Sequence, residues 1–160
     1  MIHAVADTNT AISGLLSSGT PAGVLRLAYE RRVQLWGCRE SIVEFRRVIR
    51  YPRLERRIAA LYRGVVAFER EYERLLGIVS IDGVAPGVLV PADRDDEVFV
   101  RVAIAARARY IVTRDPDLLE LQRYESVLIV TPEEFMGAWH AAAGPAPAKP
   151  RRWKLPWRRK

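Results

Sequence analysis

Apolar and polar positions change period repeatedly along the chain, and the changes predict short strands separated by helices. Ile2 to Ala6 reads as a buried strand that stops at Asp7. From Thr20 to Arg31, Val24, Leu25, Leu27 and Ala28 recur at helical spacing, with Pro21 suited to the first turn. Val33 to Trp36 is a second strand. Ser41 to Arg50 places Ile42, Phe45 and Ile49 on one helical face, and Pro52 ends that run. Arg53 to Leu76 predicts one long helix rich in arginine and glutamate, open to interruption at Gly64. Ile78 to Ile81 is a third strand, followed by a Gly/Pro-rich connection from Asp82 to Pro91. A helix is predicted over Asp95–Arg109, a strand over Tyr110–Thr113, a short helix over Asp115–Gln122 and a last strand over Val127–Val130. Thr131-Pro132-Glu133-Glu134 then starts a helix, with Thr131 as cap and Glu134 completing a capping box. Strands alternating with helices predict an α/β fold around a mainly parallel sheet.

The 160 residues are enough for one ordinary domain, and 49% hydrophobic with 28% charged residues excludes a disordered or collagen-like polymer. The longest uncharged run, Thr8 to Leu25, is too polar for a membrane span. The N-terminus has no basic segment before its apolar residues, and Asp7 interrupts them early, unlike a secretory signal. Cys38 is the lone cysteine, so neither an internal disulfide nor a cysteine zinc site can form, and a cytoplasmic location is expected.

Net charge is +7, and residues 141–160 hold seven cations and no acid, so residues 1–140 are formally neutral. All the lysines lie in that last stretch, which starts as a proline-rich tether and ends Pro-Arg-Arg-Trp-Lys-Leu-Pro-Trp-Arg-Arg-Lys. The basic character that would mark a nucleic-acid surface thus belongs to the tail. There Arg151, Arg152, Lys154, Arg158 and Arg159 can neutralise phosphates while Trp153 and Trp157 stack on unpaired bases. The same residues suit an anionic membrane surface, and a solvated end without a partner is the plainer alternative.

Open sheets of this type bind ligands at the carboxyl ends of their strands. Asp7 follows the first strand and Asp115 a later one, while Asp96 lies in the first turn of the helix between them. Glu44 borders an apolar stripe, between Val43 and Phe45. Each has a plainer role: Asp115 before Pro116 as a helix cap, Asp96 as a complement to the helix dipole, Glu44 as an i+3 partner of Arg47. Asp7 is hardest to explain that way, because a carboxylate directly after a buried strand needs a partner. A cluster of hard oxygen ligands suits Mg²⁺ or Mn²⁺, which can activate water for attack on a phosphodiester. Other chemistries have less material. His3 and His140 are the only histidines, and the chain has neither a phosphate-binding Gly-Lys loop nor a Gly-x-Ser-x-Gly elbow. An aspartyl-phosphate enzyme built on Asp7 would want an aspartate two residues on, where Asn9 stands.

Taken together, these segments resemble the PIN domain family, from about Ile2 to Phe135. Val-Ala-Asp7-Thr-Asn9-Thr-Ala-Ile-Ser-Gly looks like its first acidic motif, and Glu44 in Ser-Ile-Val-Glu-Phe-Arg-Arg-Val matches its helical glutamate. Asp93-Arg-Asp95-Asp96-Glu-Val-Phe-Val resembles the third motif, and Tyr-Ile-Val-Thr113-Arg114-Asp115-Pro-Asp117 the fourth. The subgroup it looks most like is that of toxin–antitoxin toxins.

The resemblance implies a PIN-like fold, a central, mainly parallel sheet sandwiched by helices, over residues 1–140, with the tail over 141–160 outside it. It implies a metal-dependent endoribonuclease with Asp7, Glu44, Asp96 and Asp115 as catalytic residues. Asp7, Asp96 and Asp115 would bind Mg²⁺ or Mn²⁺. Asn9 and Thr113 would orient carboxylates, Asp93, Asp95 and Asp117 are further candidate ligands, and Arg114 is a candidate RNA contact. RNA, an antitoxin protein and a second copy of the chain are the implied partners. The alternative is a PIN-like module that binds RNA or protein without cutting.

Overall fold

The computed structural model describes residues 1–85 and 94–143. The elements run β1 (Ile2–Ala6), α1 (Thr8–Leu16), α2 (Thr20–Tyr29), β2 (Val33–Gly37), α3 (Arg39–Val48), α4 (Pro52–Leu61), α5 (Val65–Glu73) and β3 (Leu76–Ile78). They continue with α6 (Arg94–Ala105), β4 (Tyr110–Val112), α7 (Pro116–Glu120), β5 (Arg123–Tyr124), β6 (Val127–Val130) and α8 (Pro132–Ala143). Helix α8 takes in residues 141–143 of the predicted tail, and the remainder, with its candidate contacts Arg151, Arg152, Trp153, Lys154, Trp157, Arg158 and Arg159, lies outside the described residues.

The sheet has the order β3-β2-β1-β4-β6-β5. All neighbours are parallel except β5, which pairs antiparallel with β6. Both faces are covered, which is the α/β sandwich the alternating pattern predicts. β1 divides its side chains between the two cores. Ala4 and Ala6 join Leu15, Leu25, Phe45, Phe68 and Phe135 on one side, and Val5 joins Val100, Val102, Ile111 and Leu118 on the other. The first core is held partly by aromatic contacts: Tyr72 stacks on Phe45 at 4.3 Å between centroids, and Tyr62 meets Phe68 edge-on at 4.7 Å.

Several elements differ from the pattern-based expectation. The uncharged run after Asp7 opens with a helix, α1, which buries Thr8 and Thr10 along with Ala11, Ile12 and Leu15. It lies very close to α2: a Cβ on Gly14 would stand 2.6 Å from Leu25 Cδ1 and 2.8 Å from the Pro21 carbonyl oxygen. The predicted long helix is two helices, broken at Gly64, whose φ of 98° and ψ of 174° no helix accommodates. The third strand consequently starts earlier, at Leu76. Helix α6 stops at Ala105 because Arg107 turns left-handed with φ 49°. The two-residue β5 is an addition, a hairpin onto β6 turned through Glu125 at φ 49°. The capping box at α8 is present: the Glu134 carboxylate accepts from Thr131 N at 2.7 Å, and Glu134 N donates to Thr131 Oγ1 at 3.1 Å.

Candidate active site at the carboxyl ends of β1 and β4

From β1 the chain builds β2 and β3 to one side and later β4 and β6 to the other, so the order reverses between β1 and β4. A crevice at such a reversal is where open α/β sheets take ligands. Two backbone hydrogen bonds extend the ladder past the strand ends there: Asp7 N donates to the Val112 carbonyl at 3.2 Å, and Thr113 N to that of Val130 at 3.0 Å. They fix Asp7 and Thr113 side by side.

Asp7 is only 4% exposed, and both of its carboxylate oxygens are engaged. Oδ1 accepts from Thr10 N at 2.7 Å, so Asp7 is also the cap of α1. Oδ2 accepts from the Thr113 hydroxyl, which is fully buried. That same hydroxyl accepts from Asp115 N at 2.9 Å. One side chain thus ties the end of β1 to the loop after β4. Asp115 in turn accepts from Asp117 N at 2.8 Å through Oδ1 and caps α7. Its cap role and its place at the site coexist.

Burial pushes the Asp7 carboxyl above its ordinary range. The hydrogen bonds from Thr10 and Thr113 pull it back in part, and the charge of Asp115 adds to the rise. Tyr72 lies behind this group, 5% exposed. Its phenol is pushed well above the usual range by burial first, then by the charges of Asp7, Glu44 and Cys38. Glu44, half-buried on α3, therefore shares an electrostatic environment with Asp7. The helix α3 touches both α1 and α6.

Asp96 is half-buried in the first turn of α6. That helix feeds the parallel strand β4, so its N-terminal end lies at the carboxyl edge of the sheet, the edge where Asp7 and Asp115 sit. Beside Asp96, Glu97 buries Oε1 without a hydrogen-bond partner among the described residues, as does Thr10 at Oγ1. Asp93 and the side chain of Asp95 lie outside the described residues. Among the described residues, no three His, Cys, Asp or Glu side chains come together closely enough to hold a metal ion.

Asn9 is exposed on α1, and the oxygens of Asp7 go to Thr10 and Thr113 instead. Asp117 is exposed and contributes its backbone N–H. Arg114 is half-exposed and ion-paired with Glu133 of α8. Arg47 reaches the Tyr51 hydroxyl at 3.1 Å. Pattern reasoning singled out neither Thr10 nor Tyr72. Thr10 had a local signal, since the third helical residue after a capping aspartate supplies the capped N–H. Tyr72 had none, because its position depends on how α5 packs on α3.

Residues 3–117 match the family model described as PIN domain. A search of curated proteins found no match. Among solved structures, the fold is similar to a chain in the crystal structure of VapBC2 from Rickettsia felis bound to a DNA fragment from their promoter. The TM-score is 0.57 at 13% identity, over 80% of this chain and 97% of that one.

Proposed function

The chain belongs to the PIN domain family, and we propose that it is a divalent-metal-dependent endoribonuclease acting as the toxin of a toxin–antitoxin pair. The observation that carries this reading is the buried Asp7, joined through the Thr113 hydroxyl to the loop of Asp115 at the point where the sheet order reverses. Two carboxylates held this close repel one another, and burial raises the cost. A cation relieves both effects, and the donors available are all hard oxygens, which suits Mg²⁺ or Mn²⁺ over softer metals.

Asp7, Asp96 and Asp115, which do not converge on one point in this structure, would hold the ion directly or through water, and Glu44 would bind or orient it and its water. When bound, a divalent cation supplies a water acidic enough to attack phosphorus and charge to stabilise the phosphorane-like transition state. The residues of the chain do the positioning. Thr113 and the Thr10 amide fix the Asp7 carboxylate, and Tyr72 with Phe45 closes the side facing the core to water. The Arg114–Glu133 pair anchors the loop carrying Asp115 to α8. An antitoxin protein is the partner this reading expects, by likeness to the VapBC2 assembly.

The test is cleavage of an end-labelled, mixed-sequence RNA by the purified full-length chain with Mn²⁺, with Mg²⁺ and with excess chelator, beside the Asp96→Asn variant. Metal-dependent cutting that leaves 5′-phosphate and 3′-hydroxyl ends, and that the variant lacks, is expected. Products ending in 2′,3′-cyclic phosphate would contradict the mechanism. RNA binding without cutting by folded, metal-loaded protein would place the chain among non-cutting modules.

A further inference from the structure

Residues 1–140 carry equal numbers of cations and acids, but the two signs are not mixed. Seven arginines and one acid, Glu55, fall between residues 46 and 63, over the end of α3 and the whole of α4. Two of these arginines are spent on packing: Arg46 pairs with Glu69 and Glu73 of α5, and Arg50 with Glu69. The others differ. Leu54, Ile58 and Leu61 turn one face of α4 to the core. Arg53, Arg56 and Arg57, at i, i+3 and i+4, share an outward stripe and are exposed. Among the described residues, no ion pair engages Arg47, Arg53, Arg56 or Arg57. Surfaces ordinarily intersperse the two signs, and a one-sign row attracts a polyanion.

The row has a direction. Glu44, Arg47 and Tyr51 follow one another at three- and four-residue steps, so they lie along one side of α3 and its continuing turn. The Arg47 guanidinium donates to the Tyr51 hydroxyl at 3.1 Å, and Tyr51 is 47% exposed. A fixed cation beside an exposed aromatic ring offers a phosphate contact and a stacking face together, the pairing that holds unpaired nucleotides. We infer that Arg47, Tyr51, Arg53, Arg56 and Arg57 form a binding track for single-stranded RNA, leading the strand along α4 and α3 toward Glu44. The inference rests on the nuclease reading for where the track leads, and not for the binding itself.

The experiment measures binding of a fluorescein-labelled, mixed-sequence 20-nucleotide single-stranded RNA to the full-length chain in chelator, over a range of salt concentrations. Three variants accompany the wild type. Arg53→Gln/Arg57→Gln removes two track charges. Tyr51→Leu removes the stacking face. Arg31→Gln/Arg107→Gln removes two exposed arginines ahead of β2 and β4, at the opposite edge of the sheet. Single-strand contacts contribute about 0.7 each to the log–log salt slope, so the first variant should flatten it by about 1.4. Tyr51→Leu should weaken binding about five-fold or more with the slope unchanged. The third should match the wild type.

Track variants that bind like the wild type, or a control that loses as much as Arg53→Gln/Arg57→Gln, would overturn the inference, whatever they do to a protein partner. Because cutting is not needed, a chain that binds through the track but never cleaves would sink the nuclease reading alone. With cleavage present, the track variants should raise KM and leave kcat unchanged.

Discussion

Thr113→Val is the substitution that most directly tests how the site is held together. Valine keeps the shape of threonine and removes the hydroxyl, which donates to Asp7 Oδ2 and accepts from Asp115 N. Losing a hydrogen bond to a buried carboxylate costs about 1.5–3 kcal/mol, and stranding the part-buried Asp115 N–H about 1 kcal/mol more. The added methyl returns about 0.8 kcal/mol. The expected net loss is about 2–3 kcal/mol, or roughly 6–9 °C in Tm for a domain of this size. Thr113→Ser keeps both hydrogen bonds and should lose only about 1 kcal/mol, for the missing methyl group. The effect also has a pH signature. The Thr113 bond favours ionised Asp7, so the deficit of the valine variant should be largest at pH 8 and shrink on acidification as Asp7 takes up its proton. Thermal melts at pH 8 and pH 4.5 in chelator read both quantities. A valine variant as stable as the serine variant, or a deficit independent of pH, would refute the account of Thr113 as the tie between the two strand ends.

Two further outcomes follow from the same structure. Since burial holds Asp7 above the ordinary aspartate range, the folded chain binds its proton more tightly than the unfolded chain, so its contribution to stability falls as pH rises through that range. Without metal, Asp7→Asn should therefore melt higher than the wild type at pH 8, and the advantage should vanish toward pH 4; a lower melting point at pH 8 would contradict it. Gly64→Ala should cost about 1–3 kcal/mol although a Cβ there meets nothing within 4 Å, because φ 98° with ψ 174° is a region open essentially to glycine. A lower urea midpoint at unchanged slope is the expected readout.

The parts of this molecule that could be read from its sequence are those whose determinants are local. Buried parallel strands announce themselves as apolar runs, and Asp7 and Asp115 could be singled out because they follow strand ends, whereas Thr113 entered only through the family resemblance. Helix α1 was not, since Thr8, Asn9, Thr10 and Ser13 look like a polar connection until the Asp7 cap and the closeness of α2 are known. The break at Gly64 was visible only as an option, because periodicity carries through it. The strand β5 exists only by pairing with β6. The same limit applies to the site: the oxygens of Asp7 are held by an amide three residues on and a hydroxyl 106 residues away, and only the first is local. Averaging charge over residues 1–140 hid the arginine row, since the balancing acids lie elsewhere in the chain.

The 106-residue gap between Asp7 and Thr113 also governs timing. Asp7 is made directly after the first strand, but its tie to Thr113 cannot form until β4 has been synthesised and inserted beside β1. During synthesis, every shorter chain has β1 without its neighbour on that side and Asp7 without its second hydrogen bond. Domains whose contacts span such distances close late and as units. A growing chain therefore carries an unfinished centre from the moment Asp7 is added until Thr113 has followed and β4 has joined the sheet.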